Sequence, residues 1–494
     1  MASRPIKLSA ENLAKLKASV AKPKFDRSSV KTGIVHLGVG GFHRSHQAMY
    51  THKVLEDDPN WGICGVGLVP GDKKMQDILR SQDNLYTLIS KNSKATSIEV
   101  IGSIVDYMYA GNRGNATAAV IDRLASPETR IASLTVTEKA YMVDDSTGDL
   151  DVKNIMIEQD LANPHLPVTP VGYIVAGLKK RMDSGMAPYT VLSCDNLPMN
   201  GHLTERVVGQ YAEIVDPTLA AWIKENTAFP STMVDRITPS TTDADIEYLS
   251  KAYEIEDAWP VCAEDYTQWV IEDNFPLGRP EWEKTGALMV ADVEPYELMK
   301  LRLLNGSHSA LAYLSYLAGH HNVHLAMEDD LVYDFIERYM NAVTPTVPDV
   351  PGVDLSAYKD TLRERFSNPN VSDQVTRLAE DGSKKVVGFI RGPISELLAS
   401  GKDTAPIAAA VAGWIRFCRG YDEKGVKIEI KDPQAEALKQ AANQVKVHGS
   451  SCFLKKFLSE EIGTNKTFVG QVDGFLQTLD NTGARSLLAQ LAEQ

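Results

Sequence analysis

A run of β formers, Gly33-Ile-Val-His-Leu37, passes directly into Gly38-Val-Gly40-Gly41, then into a helical pattern from Gln47 to Leu55 and a second strand pattern, Ile63-Cys-Gly-Val-Gly-Leu-Val69. No other stretch limits the fold as tightly. Strand, glycine turn, helix and strand in that order make one βαβ unit, in which the two strands are parallel. Glycines at such a turn let the backbone approach a pyrophosphate, and the helix start beyond them offers unpaired N–H groups and a partial positive charge. The candidate dinucleotide contacts are therefore Leu37, Gly38, Val39, Gly40, Gly41, Phe42 and Arg44. His43 stands at the third glycine position of G-x-G-x-x-G, so the motif alone leaves an ordinary tight turn open.

The alternation continues. Strands are expected at Ile131-Ala-Ser-Leu-Thr-Val-Thr137 and Tyr189-Thr-Val-Leu-Ser-Cys194, and a hairpin at Tyr86–Ser90 and Ser97–Ile101 around the polar turn Lys91-Asn-Ser-Lys. Beyond about residue 290 the period lengthens, with helical patterns at 295–319, 327–343, 371–381, 405–420 and 433–446. The expected fold class is α/β: an N-terminal dinucleotide-binding domain over residues 1–290 and a mainly α-helical substrate and catalytic domain over 291–494. The proline-rich stretch from Thr344 to Pro351 reads as a loop inside the second domain, because helical pattern continues on both sides.

A net charge of -14 repels nucleic acid and anionic membranes, so a small-molecule partner is expected. The five cysteines (Cys64, Cys194, Cys262, Cys418, Cys452) are far apart with no C-x-x-C pair, which suits a reduced, cytoplasmic protein. The segment from Met1 to Lys7 has no apolar core of signal-peptide length, and the weakly apolar stretch from Pro406 to Ile415 is too short to span a bilayer.

After the second strand, Asp72 in Leu68-Val-Pro-Gly-Asp-Lys-Lys74 is placed to accept hydrogen bonds from an adenosine ribose, which favours NAD. Lys73 and Lys74 leave open a 2′-phosphate, and a solvated loop carboxylate is the bland reading. In the apolar segment around Lys300, a continuous α-helix places Lys300, Asn305 and His308 within an arc of roughly 140°. Leu298, Met299, Leu301, Leu303 and Leu304 surround the lysine. Burial of an ammonium lowers its pKa, as a lysine base working near neutral pH requires. The competing reading is a lysine that snorkels or pairs with Glu297.

These residues resemble the mannitol dehydrogenase family, the polyol-specific long-chain dehydrogenases. Five segments carry the resemblance in order: Gly38-Val-Gly-Gly-Phe-His-Arg-Ser-His46, Thr135-Val-Thr-Glu-Lys-Ala-Tyr141, Ser193-Cys-Asp-Asn-Leu197, Met233-Val-Asp-Arg-Ile-Thr-Pro239 and Lys300-Leu-Arg-Leu-Leu-Asn-Gly-Ser-His308. The resemblance implies a Rossmann-type N-terminal domain, a helical C-terminal domain and a site in the cleft between them. It makes Lys300 the general acid/base, Asn196 and Asn305 the oxyanion-stabilising pair and His308 a group that orients substrate hydroxyls. It further implies that Asp235 contacts the polyol and that Glu138 exchanges the lysine's proton with water. A sixth segment, Arg377 to Lys385, nominates Arg377 and Lys385 as substrate-binding residues. The implied activity is metal-independent oxidation of D-mannitol to D-fructose with NAD, by a monomer. Gly71 stands where some relatives carry a second acid, which weakens an NAD-only preference.

Three rival readings remain. His320, His321 and His324, with Glu328 beyond, place two imidazoles one helical turn apart, but helix-end histidines before the capping acids Glu328-Asp-Asp330 explain them without a metal. A non-catalytic nucleotide sensor is possible on fold alone. Within the enzyme class, fructuronate, tagaturonate or fructose 6-phosphate would need cations, for which Arg377, Lys385 and Arg391 are the candidates. Asp235 argues for a neutral polyol.

Overall fold

The computed structural model describes residues 4–493 apart from Arg113, Asp145 and Ser372, with only the backbone of Asn112. Ser372, within the helix expected at 371–381, and Met1–Ser3 lie outside the described residues. The chain divides into two compact units, Met1–Val293 and Glu294–Gln494.

In the first unit, five parallel strands form one sheet: β1 (Thr32–Leu37), β2 (Gly62–Gly67), β3 (Ile104–Tyr109), β4 (Ile131–Leu134) and β5 (Thr190–Ser193). Their order is β3-β2-β1-β4-β5. Both faces are covered, and successive side chains serve opposite cores. Val35, Leu37, Cys64, Val66, Ala132, Leu134 and Val191 belong to one cluster; Ile34, Ile63, Ile104, Ile131 and Leu192 belong to the other. Helices Asn115–Ala125, Pro170–Asp183 and Asn200–Val215 supply the first cluster, while Trp269 and Trp282 help to fill the second. The chain runs outward from β1 to β3 and returns to β4 on the other side of β1, and that reversal opens a crevice at the strands' carboxyl ends. This is a Rossmann-type domain.

The expected hairpin is present as Tyr86–Lys91 and Thr96–Ile101, joined by Val261–Glu264 into a separate three-stranded sheet. A further sheet, Leu288–Val290, Gln268–Glu272 and Thr232–Asp235, escaped the sequence reading, as did β3. Their short strands carry polar residues that mask the period. Two expected strands run two or more residues past their ends in the sequence reading: β2 ends at Gly67 and β4 at Leu134, and beyond them side-chain carboxylates take the N–H groups of Leu68, Val69, Val136 and Thr137.

The second unit is helical. Ala405–Cys418 is its axis, with twelve of fourteen residues buried, and it packs on Gly306–Leu317 and Lys466–Asn481. At Gly413 a Cβ would come within 2.8 Å of Leu314, so this approach requires glycine. The helix expected from 327 starts at Asp330, with the Asp329 carboxylate accepting the N–H of Leu331 as its cap. The one expected at 371–381 forms over Val375–Ala379, and a separate helix, Gly382–Phe389, follows Asp381, which turns left-handed at φ 55°. Among the described residues, no helix is long and apolar enough to cross a membrane.

Three histidines, His36 on β1 and His43 and His52 on the helices Gly41–Ser45 and Gln47–Val54 that follow it, are buried. His36 and His52 are depressed to about 3 and His43 lies well below 6.5, in each case chiefly through desolvation. Glu99 lies 3.9 Å from His52 Nε2, but burial outweighs it, and Nδ1 accepts the N–H of Gly102 and so carries no proton. Each ring is neutral in the folded chain, whereas the unfolded chain protonates it below 6.5. Their contribution is therefore fully present above pH 6.5 and is lost as the pH falls toward 3, by up to about 1.4 kcal/mol per pH unit for each ring. Denaturant titrations should show stability falling steadily from pH 6.5 to 5, with a shallower slope in His52→Gln. A flat profile would contradict neutral burial.

Candidate active site

The carboxyl edge of the parallel sheet gathers the glycine turn, Asp72, Glu138 and Asn196. Beyond β1, Gly38 adopts φ 88°, and a Cβ there would lie 2.4 Å from the carbonyl oxygen of Thr135. Only glycine satisfies both demands. Gly40 is exposed and has open space before it, with nothing within 4 Å of a notional Cβ; Gly41 and Phe42 are half-buried. The first bond of helix α1 (Gly41–Ser45) runs from Arg44 N–H to the Gly40 carbonyl, so the N–H groups before it have no partner within the helix. An open backbone cradle with unpaired donors fits a pyrophosphate.

The remaining loop residues point away from that cradle. Leu37 and Val39 are core side chains. Arg44 is 1% exposed, with its guanidinium donating to the Trp259 and Gly40 carbonyls while Tyr86 Oη donates to the Arg44 carbonyl. Expected as a cofactor contact, its side chain instead holds the loop from behind. His43 fills the third glycine position by stacking on His36, with centroids 3.4 Å apart and planes 15° apart.

Beyond β2, Asp72 opens helix α2 (Asp72–Ser81), and its Oδ2 accepts the N–H groups of Leu68 and Val69. The neighbouring lysines are also engaged, Lys73 with Asp77 and Lys74 over the Trp259 ring at 5.0 Å. Beyond β4, Glu138 is exposed at the start of a short turn, Glu138–Tyr141. Beyond β5, Asn196 is exposed. Between these exits lies a residue the sequence reading passed over, Asp195, 8% exposed, whose carboxylate accepts the N–H groups of Val136 and Thr137 and the Tyr141 hydroxyl. Asp235 ends the strand Thr232–Asp235 and is 6% exposed. The adjoining Arg236 donates to the Ser45 and Glu264 carbonyls and to Ser90 Oγ, and thereby braces the glycine loop. Neither Asp195 nor Arg236 has a sequence signal beyond its place in a motif.

In the second unit the expected continuous helix is interrupted. Helix α3 (Glu294–Met299) leads into a π-helical segment, Lys300–Asn305, before helix α4 (Gly306–Leu317). The Gly306 N–H donates to the Leu301 carbonyl, a five-residue step. A π segment carries more residues in each turn than an α-helix, so the angle between Asn305 and Lys300 is smaller than the roughly 140° of an α-helix. Lys300 is 6% exposed, Asn305 and His308 are half-buried, and the His308 ring lies 4.5 Å from that of Phe366. The opposite face is anchored: Arg302 forks onto Glu396 at 2.7 and 2.8 Å and reaches the Thr346 carbonyl, and a Cβ on Gly306 would meet Tyr339 Oη at 2.6 Å. Packing thus consumes one side of the motif and leaves Lys300, Asn305 and His308 to the other.

Arg377 is exposed and pairs with Asp373, its Nε 2.6 Å from Oδ1. Lys385 donates to the Arg377 and Leu378 carbonyls near the end of Val375–Ala379, and burial lowers its pKa. His320 pairs with Asp329 at 3.1 Å, and among the described residues no group of three His, Cys, Asp or Glu is placed to hold a metal ion.

Comparison with known proteins extends across both units. The mannitol dehydrogenase Rossmann domain matches residues 32–284 and the mannitol dehydrogenase C-terminal domain residues 292–480. A mannitol 2-dehydrogenase of Phaeosphaeria nodorum is 41% identical over 493 residues, covering 99% of this chain and 86% of its own. D-mannonate oxidoreductase of Escherichia coli is also 41% identical, over 486 residues, covering 96% and 98% respectively. The solved ternary complex of Pseudomonas fluorescens mannitol 2-dehydrogenase with NAD and D-mannitol is 42% identical with a TM-score of 0.84, covering 99% of this chain and 100% of that one. With both domains matched in order and relatives similar over almost their full length, the chain belongs to the mannitol dehydrogenase family.

Proposed function

We propose that this chain is an NAD-dependent mannitol 2-dehydrogenase that interconverts D-mannitol and D-fructose without a metal. The observation that carries the reading is the π segment, which brings a buried lysine and an asparagine amide to one helix face. Oxidising a secondary alcohol requires a base for the O–H proton and donors for the oxygen that gains charge. Neutral Lys300 accepts the C2 hydroxyl proton, and the Asn305 and Asn196 amides donate to the developing alkoxide. His308, its ring set against Phe366, orients neighbouring hydroxyls, and Asp235 accepts from them. Glu138 returns the lysine's proton to water. When bound, NAD supplies the hydride acceptor. Gly38, Gly40, Gly41 and Phe42 face its pyrophosphate, Leu37, Val39 and Arg44 shape the loop behind them, and Asp72 takes the adenosine ribose.

A sugar acid is the second reading, favoured by the equal identity to D-mannonate oxidoreductase. Recognition of a carboxylate calls for a cation that is not already neutralised. Arg377 is paired with Asp373, and Lys385 caps helix-end carbonyls, while Asp235 would repel an added negative charge. The neutral polyol is therefore the better fit, with Arg377 and Lys385 bordering it through hydrogen bonds. The chain acts as a cytoplasmic monomer in this reading, supported by five cysteines outside any disulfide and by a negative charge unsuited to nucleic acid.

Lys300→Ala should lower kcat by about 10²–10⁴-fold while NADH affinity stays near that of the unaltered protein; near-normal turnover would remove the lysine from the chemistry. Activity should persist in excess EDTA, and its loss there would bring a metal back. Crossing NADH and NADPH with fructose, xylulose, fructuronate and fructose 6-phosphate should give the highest kcat/KM for NADH with fructose. A preference for fructuronate would put the sugar-acid reading in its place, and NADH binding without turnover of any ketose would indicate a sensor.

A further inference from the structure

Glu138 and Asn196 stand on loops that leave β4 and β5, and Asp235 ends a third strand, Thr232–Asp235, yet buried side chains join the three segments. Asp195 Oδ2 accepts the Val136 N–H at 3.0 Å and the Tyr141 hydroxyl at 2.7 Å, and Oδ1 accepts the Thr137 N–H at 2.9 Å. Tyr141 Oη also lies 2.6 Å from Ser193 Oγ, on the last residue of β5. On the other side, Asn200 Nδ2 donates to the Asp195 carbonyl at 2.9 Å and the Thr232 carbonyl at 3.0 Å, and Asn200 Oδ1 accepts the Thr232 N–H. Asn196 therefore projects from a turn held at both flanks, at Asp195 and at Asn200.

The backbone shows what this clamp works against. Thr137, immediately before Glu138, adopts φ 69° and ψ 159°, a region almost confined to glycine, and Met199, immediately before Asn200, is left-handed at φ 51°. Such conformations persist only where their surroundings over-determine them, and they gather at functional sites. A carboxylate that accepts the Thr137 N–H supplies that constraint, because hydrogen bonds to an ionised group are shorter and stronger than neutral ones. Burial raises the Asp195 carboxyl above its ordinary range while the three donors pull it back. Tyr141 is pushed well above 10, so its phenol remains a donor.

We propose that Asp195 is the positioning residue of this active site: its buried carboxylate ties the β4 exit, which carries Glu138, to the β5 exit, which carries Asn196, and so aims the Asn196 amide. The proposal rests on the reading of Asn196 as an oxyanion donor. An amide at position 195 turns an NH₂ toward backbone N–H donors and cannot accept from all three groups, so Asn196 loses its aim, whereas the glycine loop beyond β1 keeps its own bond from the Thr135 hydroxyl to the Gly38 carbonyl.

The test is a double-mutant cycle on the full-length protein, with kcat and KM for mannitol and the NADH dissociation constant measured for each variant. Asp195→Asn should reduce kcat about 10–100-fold, the scale of a misplaced oxyanion donor, with NADH affinity within about two-fold. The double variant Asp195→Asn/Asn196→Ala should turn over within about two-fold of Asn196→Ala alone, because residues acting as a unit are not additive. Tyr141→Phe removes one of the three donors, and a smaller kcat loss of about 3–10-fold is expected; it carries the same cycle should Asp195→Asn fail to fold. Multiplicative losses in the cycle, or a kcat for Asp195→Asn within two-fold of the unaltered protein, overturn the proposal. A general loss in which NADH binding weakens as much as turnover overturns it too, since that is the mark of a merely structural residue. Near-normal kcat in Asn196→Ala would sink the oxyanion reading and this proposal together.

Discussion

Where a strand ends, its last N–H groups lose their ladder partners, and a buried N–H without an acceptor costs about as much as a lost hydrogen bond. In this chain carboxylates take up those donors. Asp72 serves Leu68 and Val69 after β2, Asp195 serves Val136 and Thr137 after β4, and Glu264 serves Ile237 after the strand that ends in Asp235. Each carboxylate fixes the path of a loop that carries a candidate site residue or adjoins one. The same bonds that end the strands therefore set the geometry of the site, and the loops are as constrained as the sheet that bears them.

The helical unit solves the equivalent problem differently. On an α-helix, a lysine and an asparagine five residues apart diverge by roughly 140°, too far to act on one oxygen atom. The π segment narrows that divergence by widening one turn. Such a turn has poorer backbone bonding, and the surroundings compensate: Arg302 forks onto Glu396, Leu303 is wholly buried, and Gly306 admits Tyr339 to close contact. The alternation of face along Lys300-Leu-Arg-Leu-Leu-Asn-Gly-Ser-His308 thus has a mechanical reading, in which some residues hold the turn open and others use it.

Sequence made the sheet legible because its strands are buried on both faces and stand out as short β-branched runs, and because Gly38 has no substitute at φ 88° against the Thr135 carbonyl. The motif around Lys300 was legible as chemistry but not as geometry, since nothing in its apolar period distinguishes a π turn from an α turn. Arg44 misled for a related reason: an arginine in a glycine loop reads as a ligand contact, whereas its partners are backbone carbonyls distant in sequence, at Trp259 above all. Asp195 was hidden because its three donors come from a segment almost sixty residues earlier. Pairings of that kind belong to the fold and leave no local trace.

His43 shows how a departure from the expected motif can preserve its physics. The third glycine of a dinucleotide fingerprint permits close packing of the helix on the strand; here two flat imidazole rings stacked 3.4 Å apart achieve the approach. The arrangement demands neutrality, since two protonated rings at that distance in a buried site would repel strongly. Alcohol oxidation releases a proton and is favoured as pH rises, where both rings are neutral. Ketose reduction consumes one and gains as pH falls, where the rings beneath the nucleotide loop begin to oppose folding. In the proposed enzyme, the lower pH limit for fructose reduction is accordingly set by the scaffold of the glycine loop rather than by the catalytic lysine, whose protonated form is the acid that reduction uses.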